Sequence, residues 1–251
     1  MVALVTGASS GIGRDIAKKL ADRNIDLILV SRNKESLSAF AKKLKVKTKV
    51  IALDLSNKQN CYELYNMTKN ENIDILVNNA GFGSCNKFSD SELITDINMI
   101  DLNVCAVQIL SRLYIEDFIK KNSGYILNVA SSAGFTAGGP LMSTYYATKS
   151  YIIKLSLAIY EELRRDRSNV SISVLCPGPV KTKFNNRAGV HFSVKPLLSE
   201  DVASIAIEKL FKKQLIIIPG LLMKLSYVAS KILPLKLQLK VAYRIQHKKK
   251  T

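Results

Sequence analysis

The 251-residue sequence is 47% hydrophobic and 23% charged, with 12 Gly and 6 Pro, a balance that excludes collagen-like, disordered and disulfide-stapled chains. Its net charge of +17 is unevenly placed, because residues 209–251 carry 11 basic and no acidic side chains. Four cysteines, Cys61, Cys85, Cys105 and Cys176, stand apart without a C-x-x-C pair, which excludes a zinc site or disulfide framework and predicts reduced core thiols.

The chain opens on Val2–Thr6 as a strand rather than on a charged leader and apolar run, so a cytoplasmic protein is expected. Further strands are predicted at 27–31, 49–53, 75–78, 125–130, 171–175 and 215–218. Helices are predicted near 12–23, 34–45, 57–69, 92–121, 144–167 and 200–213. Strands rich in Val and Ile that alternate with helices predict one doubly wound α/β domain, its seven-stranded, mainly parallel sheet covered on both faces. No repeat or linker breaks the pattern before about residue 219, so residues 1–219 are expected as the main domain and 220–251 as a C-terminal extension.

After the first strand comes Thr6-Gly7-Ala8-Ser9-Ser10-Gly11-Ile12-Gly13, leading into a helical pattern. Glycines here permit a tight turn and close helix packing, and they bring the first helical N–H groups to a pyrophosphate. The spacing is G-x3-G-x-G, which departs from G-x-G-x-x-G, so the strand before and the helix after carry the reading. Arg32 follows the second strand where a dinucleotide site for NAD commonly has a carboxylate. A guanidinium suits a 2′-phosphate, so NADP(H) is the expected cofactor, with Arg14 as a second positive charge.

Tyr145 and Lys149 lie four apart in a predicted helix and emerge from one face. An ammonium beside a phenol is expected to lower its pKa and ready it to exchange a proton with a carbonyl oxygen. The fifth strand ends Asn128-Val129-Ala130-Ser131-Ser132, placing small hydroxyls at the carboxyl edge of the sheet, where such folds bind ligands. A serine there can stabilise a developing oxyanion.

Together these segments resemble the short-chain dehydrogenase/reductase family, in its subgroup of about this length. The resemblance rests on Thr6-Gly7-x-x-x-Gly11-Ile12-Gly13, Asn78-Asn79-Ala80-Gly81, Ser132 thirteen residues before Tyr145, Tyr145-x-x-x-Lys149 and Pro177-Gly178-Pro179-Val180-x-Thr182, in that order and from residue 1 to about 218. It implies a Rossmann-type fold and hydride transfer between a nicotinamide and a carbonyl or secondary alcohol, with no metal. Tyr145 would act as acid in reduction, Ser132 would polarise the oxygen and Lys149 would tune the phenol. Asn103 would hold a water for proton supply, though by itself it also reads as a mid-helix polar residue. The implied cofactor cleft takes in Gly7, Ser9, Ser10, Gly11, Ile12, Gly13, Arg32, Asp54, Leu55, Asn79, Ala80, Gly81, Tyr145, Lys149, Pro177, Gly178, Val180 and Thr182; Asp54 would contact adenine, or else cap a helix before Ser56. Family members are commonly dimers or tetramers, so a homo-oligomer is expected.

Phe135, Leu141, Met142, Phe184, His191 and Phe192 are expected near the nicotinamide, which suits an apolar or 3-oxoacyl carbonyl substrate. Past Gly220, Leu221, Leu225, Val228 and Ile232 share one helical face; after Pro234, Leu237, Val241 and Ile245 lie opposite Lys236, Lys240, Arg244 and His247. This basic amphipathic pair fits either peripheral contact of residues 221–247 with an anionic membrane or packing on the protein itself. No nucleic-acid recognition module accompanies the positive charge, so nucleic acid is not the expected partner. An NADP(H)-binding sensor or interaction module with little chemistry is the alternative to an enzyme.

Overall fold

The computed structural model describes residues 1–182, 184 and 195–250, the side chains of 248–250 excepted. Its centre is a seven-stranded sheet, every neighbouring pair parallel: β1 (Val2–Thr6), β2 (Asp26–Ser31), β3 (Thr48–Ala52), β4 (Ile75–Asn78), β5 (Tyr125–Val129), β6 (Ser171–Leu175) and a short last strand, Ile216–Ile217. The order is β3-β2-β1-β4-β5-β6 and then the last strand, so the direction of winding reverses between β1 and β4. That reversal opens a crevice at the carboxyl ends of the strands, which is where such sheets bind ligands. A second, two-stranded ribbon pairs β7 (Val180–Lys181) with β8 (Leu197–Leu198), which makes the last sheet strand β9. The sequence pattern does not show β7 or β8, because two residues are too few for a periodicity.

Side chains that alternate along each strand feed two cores. Ala3 and Val5 of β1 pack with Ile16 and Leu20 of α1 (Gly11–Ala21), Leu37 of α2 (Lys34–Ala41), and Val202, Ala206 and Leu210 of α7 (Ser199–Phe211). Leu4, between them, faces the other way. It joins Leu64 of α3 (Lys58–Thr68), Leu110, Tyr114 and Phe118 of α5 (Ala106–Lys120), and Leu163 of α6 (Ser143–Arg165). Cys61, Cys85 and Cys176 are buried and Cys105 partly so, and none of the four is in a disulfide.

The helix predicted over 92–121 is a rod in three parts: α4 (Leu93–Ile100), a π-helical turn at Asp101–Cys105, and α5. By length and composition Leu93–Lys120 could span a bilayer, but its Leu110, Tyr114 and Phe118 are core residues of the fold.

Two helices follow Gly220: α8 (Leu221–Ile232) and α9 (Leu235–Lys250). The Gln238 side chain ties their corner by donating to the carbonyls of Ser230 and Leu233, at 3.1 and 2.7 Å. Both helices lie against the mouth of the crevice. The Tyr227 and Phe135 rings meet edge to face at 5.2 Å, Met223 covers Gly178, Leu239 lies over Gly138, and Gln246 reaches Tyr146. The stripe of Leu221, Leu225, Val228 and Ile232 faces solvent, each more than half exposed.

Candidate active site

A cavity of about 400 Å³ fills the crevice, within the usual range for small-molecule sites. Its floor is the turn after β1. Gly7 and Gly11 have φ of +65° and +56°, where an L side chain is strained. A Cβ on Gly7 would stand 2.7 Å from the Asn79 amide, and one on Gly11 3.1 Å from Thr182. Asn79 ties the turn in place, its Nδ2 donating to the Thr6 carbonyl at 2.9 Å, while the Thr6 hydroxyl accepts from the Asn79 and Ala80 amides at 2.9 and 3.0 Å. Ser10 begins α1 in an extended conformation, its side chain makes no capping bond, and no acidic residue stands in the first turn. The N–H groups and positive dipole of that helix end therefore point at the cavity, the chemistry that holds a phosphate. On this donor set a dinucleotide fits.

Arg32, at the end of β2, and Asp54, after β3, line the same cavity and form a 3.7 Å ion pair with both side chains half exposed. Partial burial works against charge on Asp54, yet the Ser56 amide and hydroxyl, with Arg32 nearby, hold its carboxyl below the usual range. Asp54 thus makes the local turn with Ser56 and also faces the cavity.

The opposite wall comes from β5 and α6. Lys149 is buried, its Nζ donating to the Val129 carbonyl at 3.0 Å and lying 5.9 Å from the centre of the Tyr145 ring. Burial drives its pKa down to about 8. Tyr145 moves opposite to the sequence expectation. Burial raises it to about 12, and the nearby Ser131 hydroxyl only partly offsets this. In this chain by itself, desolvation sets the direction of the shift.

Ser131 and Ser132 both line the cavity. The Ser131 hydroxyl accepts from the Ala133 amide at 3.2 Å and caps the turn that follows, and the Ser132 amide donates to the Pro177 carbonyl at 2.8 Å and anchors the segment that leads to Thr182.

Asn103 is fully buried in the π-helical turn. Its Oδ1 accepts from the Phe82 amide at 3.0 Å, and its Nδ2 donates to the Phe82 carbonyl and the Thr148 hydroxyl at 2.9 and 3.1 Å. The side chain clamps the segment after β4 to α6, and it is Gly81, where a Cβ would stand 2.8 Å from Oδ1, that permits the approach. Asn103 does not line the cavity, and neither does Gly13, which packs beneath Gly7 and Asn79. The remaining cleft residues, Ser9, Ile12, Leu55, Ala80, Pro177, Gly178 and Val180, do line it.

Of the residues expected at the mouth, Met142 and Phe184 face the cavity; Phe135 packs under Tyr227 and Leu141 is buried behind. His191 and Phe192 lie outside the described residues. Tyr146 and Gln246 also line the cavity, and sequence reasoning missed both. Nothing in a linear pattern brings residue 246 to residue 146.

The short chain dehydrogenase family model matches residues 1–190. An oxidoreductase of Staphylococcus epidermidis is 32% identical over 82% of this chain and 89% of its own. The very-long-chain 3-oxoacyl-CoA reductase of Mycosarcoma maydis is 33% identical over 69% of this chain and 51% of its own. Among solved structures, a short-chain dehydrogenase from Sphingobium yanoikuyae in complex with NADPH superposes with a TM-score of 0.83 at 27% identity, covering 91% of each chain. One from Burkholderia phymatum in complex with NAD gives 0.82 at 24%, covering 90% of this chain and 91% of its own. The chain belongs to the short-chain dehydrogenase/reductase family of oxidoreductases.

Proposed function

We propose that this protein is an NADPH-dependent reductase of apolar carbonyl compounds, of ketone or 3-oxoacyl type. The carrying observation is that one cavity joins the N-terminus of α1 and Arg32 to the Ser131, Ser132, Tyr145 and Lys149 side chains. Arg32 and the N-terminus of α1 would hold the phosphates, with Asp54 and Leu55 at the adenine end and Asn79 to Gly81 along the middle. Tyr145, Lys149 and Pro177 to Thr182 would surround the nicotinamide, which supplies the hydride when bound. The Tyr145 phenol gives its proton to the substrate oxygen, and a serine hydroxyl hydrogen-bonds that oxygen as its charge develops. The Lys149 ammonium then favours the phenolate left behind. Met142, Phe184 and Tyr146 supply an apolar wall, and the oxoacyl reductase among the relatives supports the substrate class.

The test mixes NADPH with a panel of ketones and oxoacyl thioesters while nicotinamide absorbance is followed. Turnover should fall at least about a thousandfold in Tyr145→Phe, and Arg32→Ala should weaken NADPH about tenfold or more while sparing NADH. Cofactor binding with no turnover on any carbonyl would favour the sensor or interaction module instead. Equal losses for NADPH and NADH would overturn the 2′-phosphate assignment.

The same reading takes in the chain's surroundings: residues 1–219 as the catalytic domain, the extension 220–251 as a peripheral contact with anionic membrane, a cytoplasmic location, and a homo-oligomer. Leu93, Ile94 and Ile97 of α4 are exposed and support the last of these.

A further inference from the structure

Gln246, near the end of α9, is fully buried although it belongs to the most polar helix of the chain. Leu239, Ala242 and Gln246 form the inward face of that helix, on i, i+3 and i+7 spacing. The Gln246 Nε2 donates to the Tyr146 hydroxyl. Its Oε1 is buried without a partner among the described residues, and the residue lines the cavity. An acceptor left in this state is destabilising until a donor reaches it. Beside Tyr146 the wall is largely apolar: Cys85, Leu141 and Met142 form a cluster against which Tyr145, Tyr146 and Phe184 pack. The Tyr145 and Tyr146 rings are 6.3 Å apart, so Gln246 sits one aromatic ring beyond the phenol assigned to proton transfer.

We propose that Gln246 determines substrate specificity, its Oε1 accepting a hydrogen bond from a hydroxyl carried by the substrate at a distance from the reacting carbonyl. The substrate class is thereby narrowed to an apolar hydroxyketone: a carbonyl at Tyr145, an apolar span across Met142 and Phe184, and a hydroxyl at the far end. This rests on the carbonyl-reductase reading for the position of the carbonyl but not for the recognition of the hydroxyl. A site built around a buried acceptor discriminates against the analogue that lacks the donor, because the acceptor is then left unpaired. Placement on the last helix lets the extension set specificity without touching the sheet.

The experiment uses the full chain and a series of medium-chain methyl ketones, each paired with the same ketone bearing a terminal hydroxyl. Binding to the protein–NADP⁺ complex is measured by equilibrium dialysis, and reduction is measured separately with NADPH. At the chain length that fits, the hydroxyketone should bind about tenfold tighter than its parent. In Gln246→Met the ratio of the two affinities should fall to about one, through KM rather than kcat. NADPH fluorescence confirms that the variant site is intact, and Gln246→Leu repeats the test with a different shape. No preference at any chain length in the unmodified protein overturns the proposal, as does a preference that survives both substitutions, which would place recognition of the hydroxyl on another group. A preference that depends on Gln246 without any reduction would uphold the recognition and overturn the reductase reading.

Discussion

At Lys149 burial and charge oppose each other. Its pKa of about 8 lies below the ordinary lysine value of about 10.4, so between the two the unfolded chain holds a proton that the native chain has released. Stability therefore rises with pH across that window, and below about 8 the full penalty of the buried ammonium applies. Lys149→Met should raise stability at neutral pH by about 2 kcal/mol, after the lost bond to the Val129 carbonyl is allowed for, and should abolish turnover. Urea unfolding and a ketone-reduction assay check the two halves; a destabilised variant would contradict the account. If the ammonium assists the phenol, kcat/KM for reduction should fall as pH rises through about 8. The Tyr145 and Lys149 pair was legible because helical spacing is local. The direction of the Tyr145 shift was not, because desolvation depends on atoms contributed from other parts of the chain.

Among the elements, the placement of α6 decides the site. A buried polar ladder holds that helix to the sheet: Asn78 donates to Asn128 and Ser111 at 2.9 and 3.0 Å, and Asn128 donates to Ser156 of α6 at 3.0 Å. Polar groups this deep are costly unless paired. Asn128→Ala would leave the Asn78 amide short of an acceptor and the Ser156 hydroxyl short of a donor, so it should cost about 3 kcal/mol, read by denaturant unfolding. Because α6 carries Tyr145 and Lys149, kcat should fall more than NADPH affinity; the reverse order would assign the ladder to the cofactor side. Strand and helix boundaries followed the sequence to within a few residues. The π-helical turn at Asn103 did not show, since inserting one wider turn leaves the apolar pattern of a long helix almost unchanged.

Across the whole molecule, the extension turns its packing face and its apolar stripe in different directions. Met223, Tyr227, Leu239 and Gln246 face the crevice, while Leu221, Leu225, Val228 and Ile232 face solvent beside lysines, with no acidic residue after Glu208. Each lysine near an anionic bilayer contributes about 1 kcal/mol, and inserted leucines add to it. The full chain should sediment with phosphatidylglycerol vesicles and not with phosphatidylcholine at physiological salt. Replacing Leu225 and Ile232 by Ser should reduce the bound fraction several-fold with activity on soluble ketones retained. Concentration-dependent dimerisation lost in that variant, with no vesicle binding, would assign the stripe to a second copy of the chain.

From its amino acids alone, this protein was legible wherever the chemistry is written in short spacings: the glycine turn, Arg32, the tyrosine and lysine four apart, and the alternation of strand and helix. Tertiary structure decided which way the phenol titrates, that the Asn103 side chain clamps rather than opens the cavity, and that residue 246 completes its wall. The difference is one of range. Backbone geometry and periodicity are set by near neighbours, whereas burial and hydrogen-bond partnership are set by whichever distant segments the fold brings together.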